Sequence, residues 1–239
     1  MRNFLSYIIC GSEGWKAMIY TITTGQLEKG TEKQQAAFIQ IFGAENAQYR
    51  FDLYFHWYNI AHEYGHCLCD FYGSDIIGLK QELLVNRFAV SLWKYAGQDE
   101  TLDQLQKMLD EILQKMQTPV PEHMSFTDFY EQIWGTEQMM EVPVYGYLQF
   151  KSVQDALRGN AGLAPTLREM GIPDIPADID CIRHGDIVDI LPRKYAVCSQ
   201  TAAKALHDLQ CLLHALGIEQ PTTAVKLVDD PAIHCVEIS

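Results

Sequence analysis

Positive charge is scarce in this chain: 18 Lys and Arg face 31 Asp and Glu, a net charge of −13 with a pI of about 4.9. So acidic a surface has no basic footprint for phosphates, which argues against direct nucleic-acid binding. The imbalance grows along the chain, with 10 basic and 14 acidic groups in residues 1–120 and 8 against 17 in residues 121–239. Long hydrophobic runs are also missing. No window approaches the ~18 apolar residues of a membrane span, and the stretch after Met1 has no small-x-small cleavage pattern. The seven cysteines are odd in number and dispersed, which does not suit a disulfide framework. Internal repeats and low-complexity runs are absent. These absences predict a cytoplasmic protein in a reducing compartment, without membrane or nucleic-acid partners.

What remains is ample for a core: 239 residues, 48% of them apolar. Periodicity and capping signals predict an α+β fold. Short strands are expected within residues 4–22. Thr31-x-x-Gln34 and Gly43 bracket a helix over Glu32 to Phe42. Alternation at Tyr49, Phe51, Leu53 and Phe55 reads as a strand, followed by a helix from His56 to Phe71. Further helices are expected over Leu79 to Tyr95, closed by Gly97, and over Leu102 to Met116, with Ser125 capping a short one that runs to Trp134. Past Gly135, Val142 to Phe150 reads as a strand, Ser152 to Leu157 as a short helix and Gly171 to Ile179 as loop. Ser199 to Leu216 reads as an amphipathic helix, and Thr223 to Val228 with Ile233 to Ile238 as a terminal strand pair. Residues 1–139 are read as a catalytic domain and 140–239 as a C-terminal α+β region of unknown role, or both as one continuous domain.

The stretch that states a chemistry is His62-Glu63-Tyr64-Gly65-His66. On a helix, His62 and His66 share one face about 6 Å apart along the axis. That spacing suits two imidazoles closing on one Zn²⁺. Glu63 lies about 100° around the helix, where a carboxylate can take a proton from metal-bound water. A histidine pair alone is a weak signal, so the third ligand decides. Cys69 and Asp70 continue the stripe but lie more than about 10 Å along the axis from His62, too far to converge with it. The longer metzincin pattern needs Gly at 69 and His at 72, where this chain has Cys69 and Tyr72. Glu82, on a following helix folded back by the turn at 73–78, is the favoured third ligand, with Asp75 as its rival. One turn on, Asn86 is placed to hold a histidine's far ring nitrogen.

Ala61-His62-Glu63-Tyr64-Gly65-His66, with Glu82-Leu83-Leu84-Val85-Asn86-Arg87-Phe88-Ala89, resembles the ImmA/IrrE-type zinc metallopeptidases of the gluzincin class. Their pattern is a His-Glu-x-Gly-His helix, then a helix reading approximately Glu-x-Glu-Ala-Asn-x-Phe-Ala. Leu84 stands where the family often has a second acid, and Val85 where it has Ala. The resemblance covers about residues 50–95. It implies a zincin-like domain, with a small sheet packed on the active-site helix and the Glu helix. It also implies zinc ligands His62, His66 and Glu82, Glu63 as general base, and a protein or peptide substrate such as a transcriptional repressor.

Two functions follow as expectations: a zinc-dependent endopeptidase, or a zincin-like module that binds or regulates without catalysis. Several residues carry no functional expectation. Cys67 and Cys69 read as small buried hydrophobes, and His184, His207, His214 and His234 are too scattered for a second metal site. A donor for the reaction's oxyanion is needed, and neither His56, His123 nor any one of twelve tyrosines is singled out.

Overall fold

Capping chemistry sets the first helix. The computed structural model describes residues 5–11, 18–23, 27–175, 198–227 and 234–236. In it α1 spans Glu32–Phe42. The Thr31 hydroxyl accepts from the Gln34 N–H at 3.3 Å, and the Gln34 carboxamide oxygen accepts from the Thr31 N–H at 2.9 Å. The two bonds satisfy donors that a helix start leaves unpaired.

From Ala47 the backbone stays helical for 25 residues, through α2 (Ala47–Phe51), a π-helical stretch (Asp52–Tyr58) and α3 (Asn59–Phe71). The strand expected over 49–55 is therefore a correction. Its aromatic alternation is the mark of a helix buried nearly all round, since every residue from Asp52 to Tyr58 except Phe55 is buried. A π-helix advances fewer degrees per residue than an α-helix, so no clean 3.6 period survives. Buried Asp52 is compensated by the Gln48 amide at 2.7 Å and by His56 Nδ1 at 2.8 Å.

After the turn at 72–78 come α4 (Leu79–Tyr95), α5 (Asp99–Lys115), α6 (Phe126–Ile133), α7 (Val142–Arg158), α8 (Leu163–Glu169) and α9 (Cys198–Ala215). Gly97, at φ +74°, takes the left-handed turn that ends α4. The second correction is α7. The expected strand Val142 to Phe150 is helical, with Pro143 in its first turn, where a missing N–H does no harm. The loop expected to Ile179 is described only as far as Ile175.

Four short strands, β1 (Leu5–Gly11), β2 (Met18–Thr23), β3 (Thr222–Leu227) and β4 (His234–Val236), form one antiparallel sheet in the order β2-β1-β3-β4. Ile8 faces Tyr20 on one side and Val225 on the other, so the two ends of the described chain meet in one sheet. The described chain is thus predominantly helical, with far less strand than the expected α+β composition. The sheet does lie against α3, through β2 and β1, and α9 packs on α3 and, through β3 and β4, on the sheet.

One core of buried side chains runs from Phe42 through α2–α5, α7 and α8 to Ile218, with Trp57 and Trp93 stacked at 4.7 Å near its centre. A second cluster joins Leu79 at the start of α4 to Phe129, Tyr130 and Ile133 of α6 and Val144 and Leu148 of α7. Among the described residues no helix is long and apolar enough to cross a membrane.

Candidate metal centre

α3 and α4 meet where α3 has no side chain. A Cβ on Gly65 would lie 2.9 Å from the Val85 Cβ and 3.0 Å from Phe88 Cδ1. The absent methyl therefore lets the helices approach closely. This approach brings Glu82, in the first turn of α4, against both histidines of α3. His62 Nε2 lies 3.5 Å from Glu82 Oε2, and His66 Nε2 lies 3.3 Å from Glu82 Oε1. One ligand atom from each of the three residues falls within 4.8 Å of the others, a group able to hold a metal ion. Cys69, Asp70 and the rival Asp75 are not part of that group.

Hydrogen bonds on the far side of each ring turn this cluster into a lone-pair cradle. His66 Nδ1 lies 2.9 Å from Gln81 Oε1, and the Gln81 Nε2 donates to the Ile76 carbonyl at 3.0 Å, which fixes the amide's orientation. His62 Nδ1 lies 2.9 Å from Asn86 Oδ1, which also accepts from the Tyr58 hydroxyl at 2.8 Å. Both Nδ1 atoms thus face acceptors and carry the hydrogen, leaving each Nε2 an unshared pair aimed at Glu82. Asn86 is buried, and its Nδ2 has no hydrogen-bond partner, a cost accepted in pointing its oxygen at His62. Two imidazole lone pairs and a carboxylate converging in a buried space call for a cation between them. An N₂O donor set of this kind suits Zn²⁺.

Without an ion the same demand falls on protons. Burial would lower the His62 pKa, but its bonds to Glu82 and the fields of Glu63 and Glu82 more than offset this and raise it. Burial would likewise raise the Glu82 carboxyl, yet the two histidines hold it well below the usual carboxylate range. Glu63, beside the pair, is raised by burial against the opposing pull of His62 and His66, and the Asn59 amide donates to its Oε1 at 3.4 Å. A carboxylate made more basic by burial is a stronger proton acceptor.

Several participants carry no sequence signal of their own. Gln81 and Tyr58 are ordinary helix residues until the fold sets them behind His66 and Asn86. Tyr145, on the first turns of α7, is raised by burial and by the fields of Glu82 and Glu63, which puts its hydroxyl in the electrostatic reach of the site. Tyr54, Tyr58 and Tyr130 feel Glu82 as well but are buried. Of the other candidates, His56 is buried against Asp52 and His123 is exposed in the turn before α6. Cys67 and Cys69 are buried in the core, with burial pushing the Cys69 thiol up to about 12, while His207 and His214 are exposed on α9. His184 lies outside the described residues.

Comparison with known proteins leaves the geometry to speak alone: no family model, no curated protein and no solved structure matches the chain.

Proposed function

We propose that the chain is a zinc-dependent peptidase with a zincin-like centre, in which His62, His66 and Glu82 hold the ion. The observation that carries the reading is the convergence of the two Nε2 atoms on the Glu82 carboxylate, within 3.3–3.5 Å, with half-buried Glu63 on the same helix beside them. When bound there, Zn²⁺ supplies a Lewis acid that polarises a carbonyl and acidifies a coordinated water.

The chain's own residues then do the following. Glu63 accepts the water's proton as the oxygen attacks, and returns it to the leaving amine. Asn86 and Gln81 keep both imidazoles in the tautomer that presents Nε2. Tyr145 is the candidate donor for the developing oxyanion: of the four tyrosines in Glu82's field it alone is exposed, the other three being buried.

Glu63→Gln tests the reading. The variant is expected to keep its zinc and to lose cleavage of an unstructured peptide pool by at least about a hundredfold, the low end for a general base. Zinc binding with no cleavage by the unaltered protein would favour the non-catalytic module instead.

A further inference from the structure

On a face of α4 turned away from the metal centre, the described residues line a cavity of about 560 Å³. Lys80, Leu83 and Arg87, at spacings of three and four, present one stripe of α4 to it. Glu82, Val85 and Asn86, which meet α3, lie on another stripe, so no proposed zinc ligand lines the cavity. Phe126 at the start of α6, Ala156 near the end of α7 and Ala161 in the loop before α8 supply the other walls. With Ile76 and Leu83 they make the lining mostly apolar, and the volume falls in the ~300–1,000 Å³ range of small-molecule sites.

The charges around this space do not cancel. Arg87 donates to Glu169 at 2.5 Å, and Asp155 pairs with Lys151, whose Nζ also stands 5.7 Å from the centre of the Phe126 ring. These two pairs offset one another and leave Lys80, whose ammonium bonds to no described residue. The Nε and Nη1 groups of Arg87 likewise donate to no described residue. Three cations thus stand against two carboxylates, in a chain whose net charge is −13. Lys80 and Arg87 flank Leu83 on their stripe, so an anionic head held by either leaves its apolar body on Leu83 and the facing walls.

We infer that this cavity binds a small organic acid, a carboxylate carried on an aliphatic or aromatic body. The body lies against Leu83, Phe126 and Ala156, and the carboxylate accepts from Lys80 and from the unengaged donors of Arg87. The site stands independently of the peptidase reading, because it shares no residue with the zinc ligands.

Isothermal titration of the zinc-loaded full chain with 4-phenylbutyrate, 4-phenylbutanol and 4-phenylbutylamine keeps the body constant and varies the head. The acid is expected to bind at least about tenfold more tightly than the alcohol, the scale of one charge-assisted hydrogen bond, and the amine more weakly still. Equal affinities, a preference for the alcohol or the amine, or no binding of the acid up to about 1 mM overturns the inference. Lys80→Glu, at an exposed position, is expected to remove the preference for the acid over the alcohol. Ala161→Trp, in the loop before α8, is expected to fill the cavity and abolish binding of all three, with circular dichroism and zinc content unchanged. An acid held as tightly by both variants is bound elsewhere, on the zinc or the outer surface, and the inference falls. N-acetyl-Gly-Gly-Phe carries the same head at a chain end and is expected to bind more weakly than the free acid; tighter binding would assign the cavity to polypeptide termini and overturn the small-molecule ligand.

Discussion

Gly65→Ala puts the helix contact behind the metal centre to the test. The new methyl would stand 2.9 Å from the Val85 Cβ, whereas carbon atoms in contact prefer ~3.5–4.0 Å. The Phe88 ring can turn aside. Val85 Cβ cannot, since it is fixed to the α4 backbone. The helices must therefore part by about 0.6 Å or more at this point to restore ordinary contact. Overpacking of this kind costs ~1–3 kcal/mol, while alanine recovers ~0.5–1 kcal/mol over glycine inside a helix. The net loss of stability is then only about 0–2 kcal/mol. The metal centre is far less forgiving, because ligand distances hold to about ±0.2 Å and the displacement carries Glu82 away from both histidines. Zinc affinity is expected to fall about 10–100-fold, the range seen when a ligand loses its support. Competition against a chromogenic chelator measures the affinity, and urea unfolding of the metal-free protein measures the stability. Adding Val85→Ala should not restore zinc binding, because the offending Cβ remains; Val85→Gly removes it and should. Wild-type zinc affinity in Gly65→Ala would refute the reasoning.

Other consequences follow from the same contacts. Gln81→Leu removes the acceptor on His66 Nδ1 and should weaken zinc about 10–100-fold, with the fold intact by circular dichroism. Tyr145→Phe is expected to cut kcat by about 10²–10³ with little change in KM if its hydroxyl meets the oxyanion, read from steady-state kinetics on a cleaved peptide. In the metal-free protein Glu82 has a depressed folded pKa, so its stabilisation is present above the ordinary carboxylate pKa and is lost as pH falls through the folded value. His62, raised in the fold, contributes below the ordinary histidine pKa and loses that contribution as pH rises through its folded value. Metal-free stability from this pair should thus peak between the ordinary carboxylate and histidine ranges, and Glu82→Gln should flatten the peak in urea titrations from pH 3 to 8.

Much of this was legible in the sequence where a local rule decides the structure. Thr31 and Gln34 set the start of α1 by their own hydrogen bonds, and Gly97 ends α4 because few other residues accept its backbone angle. The cluster of His62, His66 and Glu82 followed from helical spacing plus one turn back. Failures came where burial removes the pattern. Residues 52–58 are buried on almost every side, so their aromatic alternation imitated a strand. Val142, Tyr145 and Tyr147 favour strands intrinsically, yet Val144 and Leu148, four apart, pack on Leu79 and Phe129 and make α7 a helix. Gln81 and Tyr58 were illegible at the site, because each acts through a neighbour, His66 or Asn86, that only the packing of the helices supplies.

The most direct measurement is the zinc content of the purified chain beside Glu82→Ala, both equilibrated with buffered sub-micromolar free zinc and read by mass spectrometry of the metal. Three converging ligands predict one zinc per chain in the unaltered protein and a near-empty variant that remains folded. A chain that takes up no zinc, or a Glu82→Ala variant that keeps a full equivalent, would contradict the assignment of the centre.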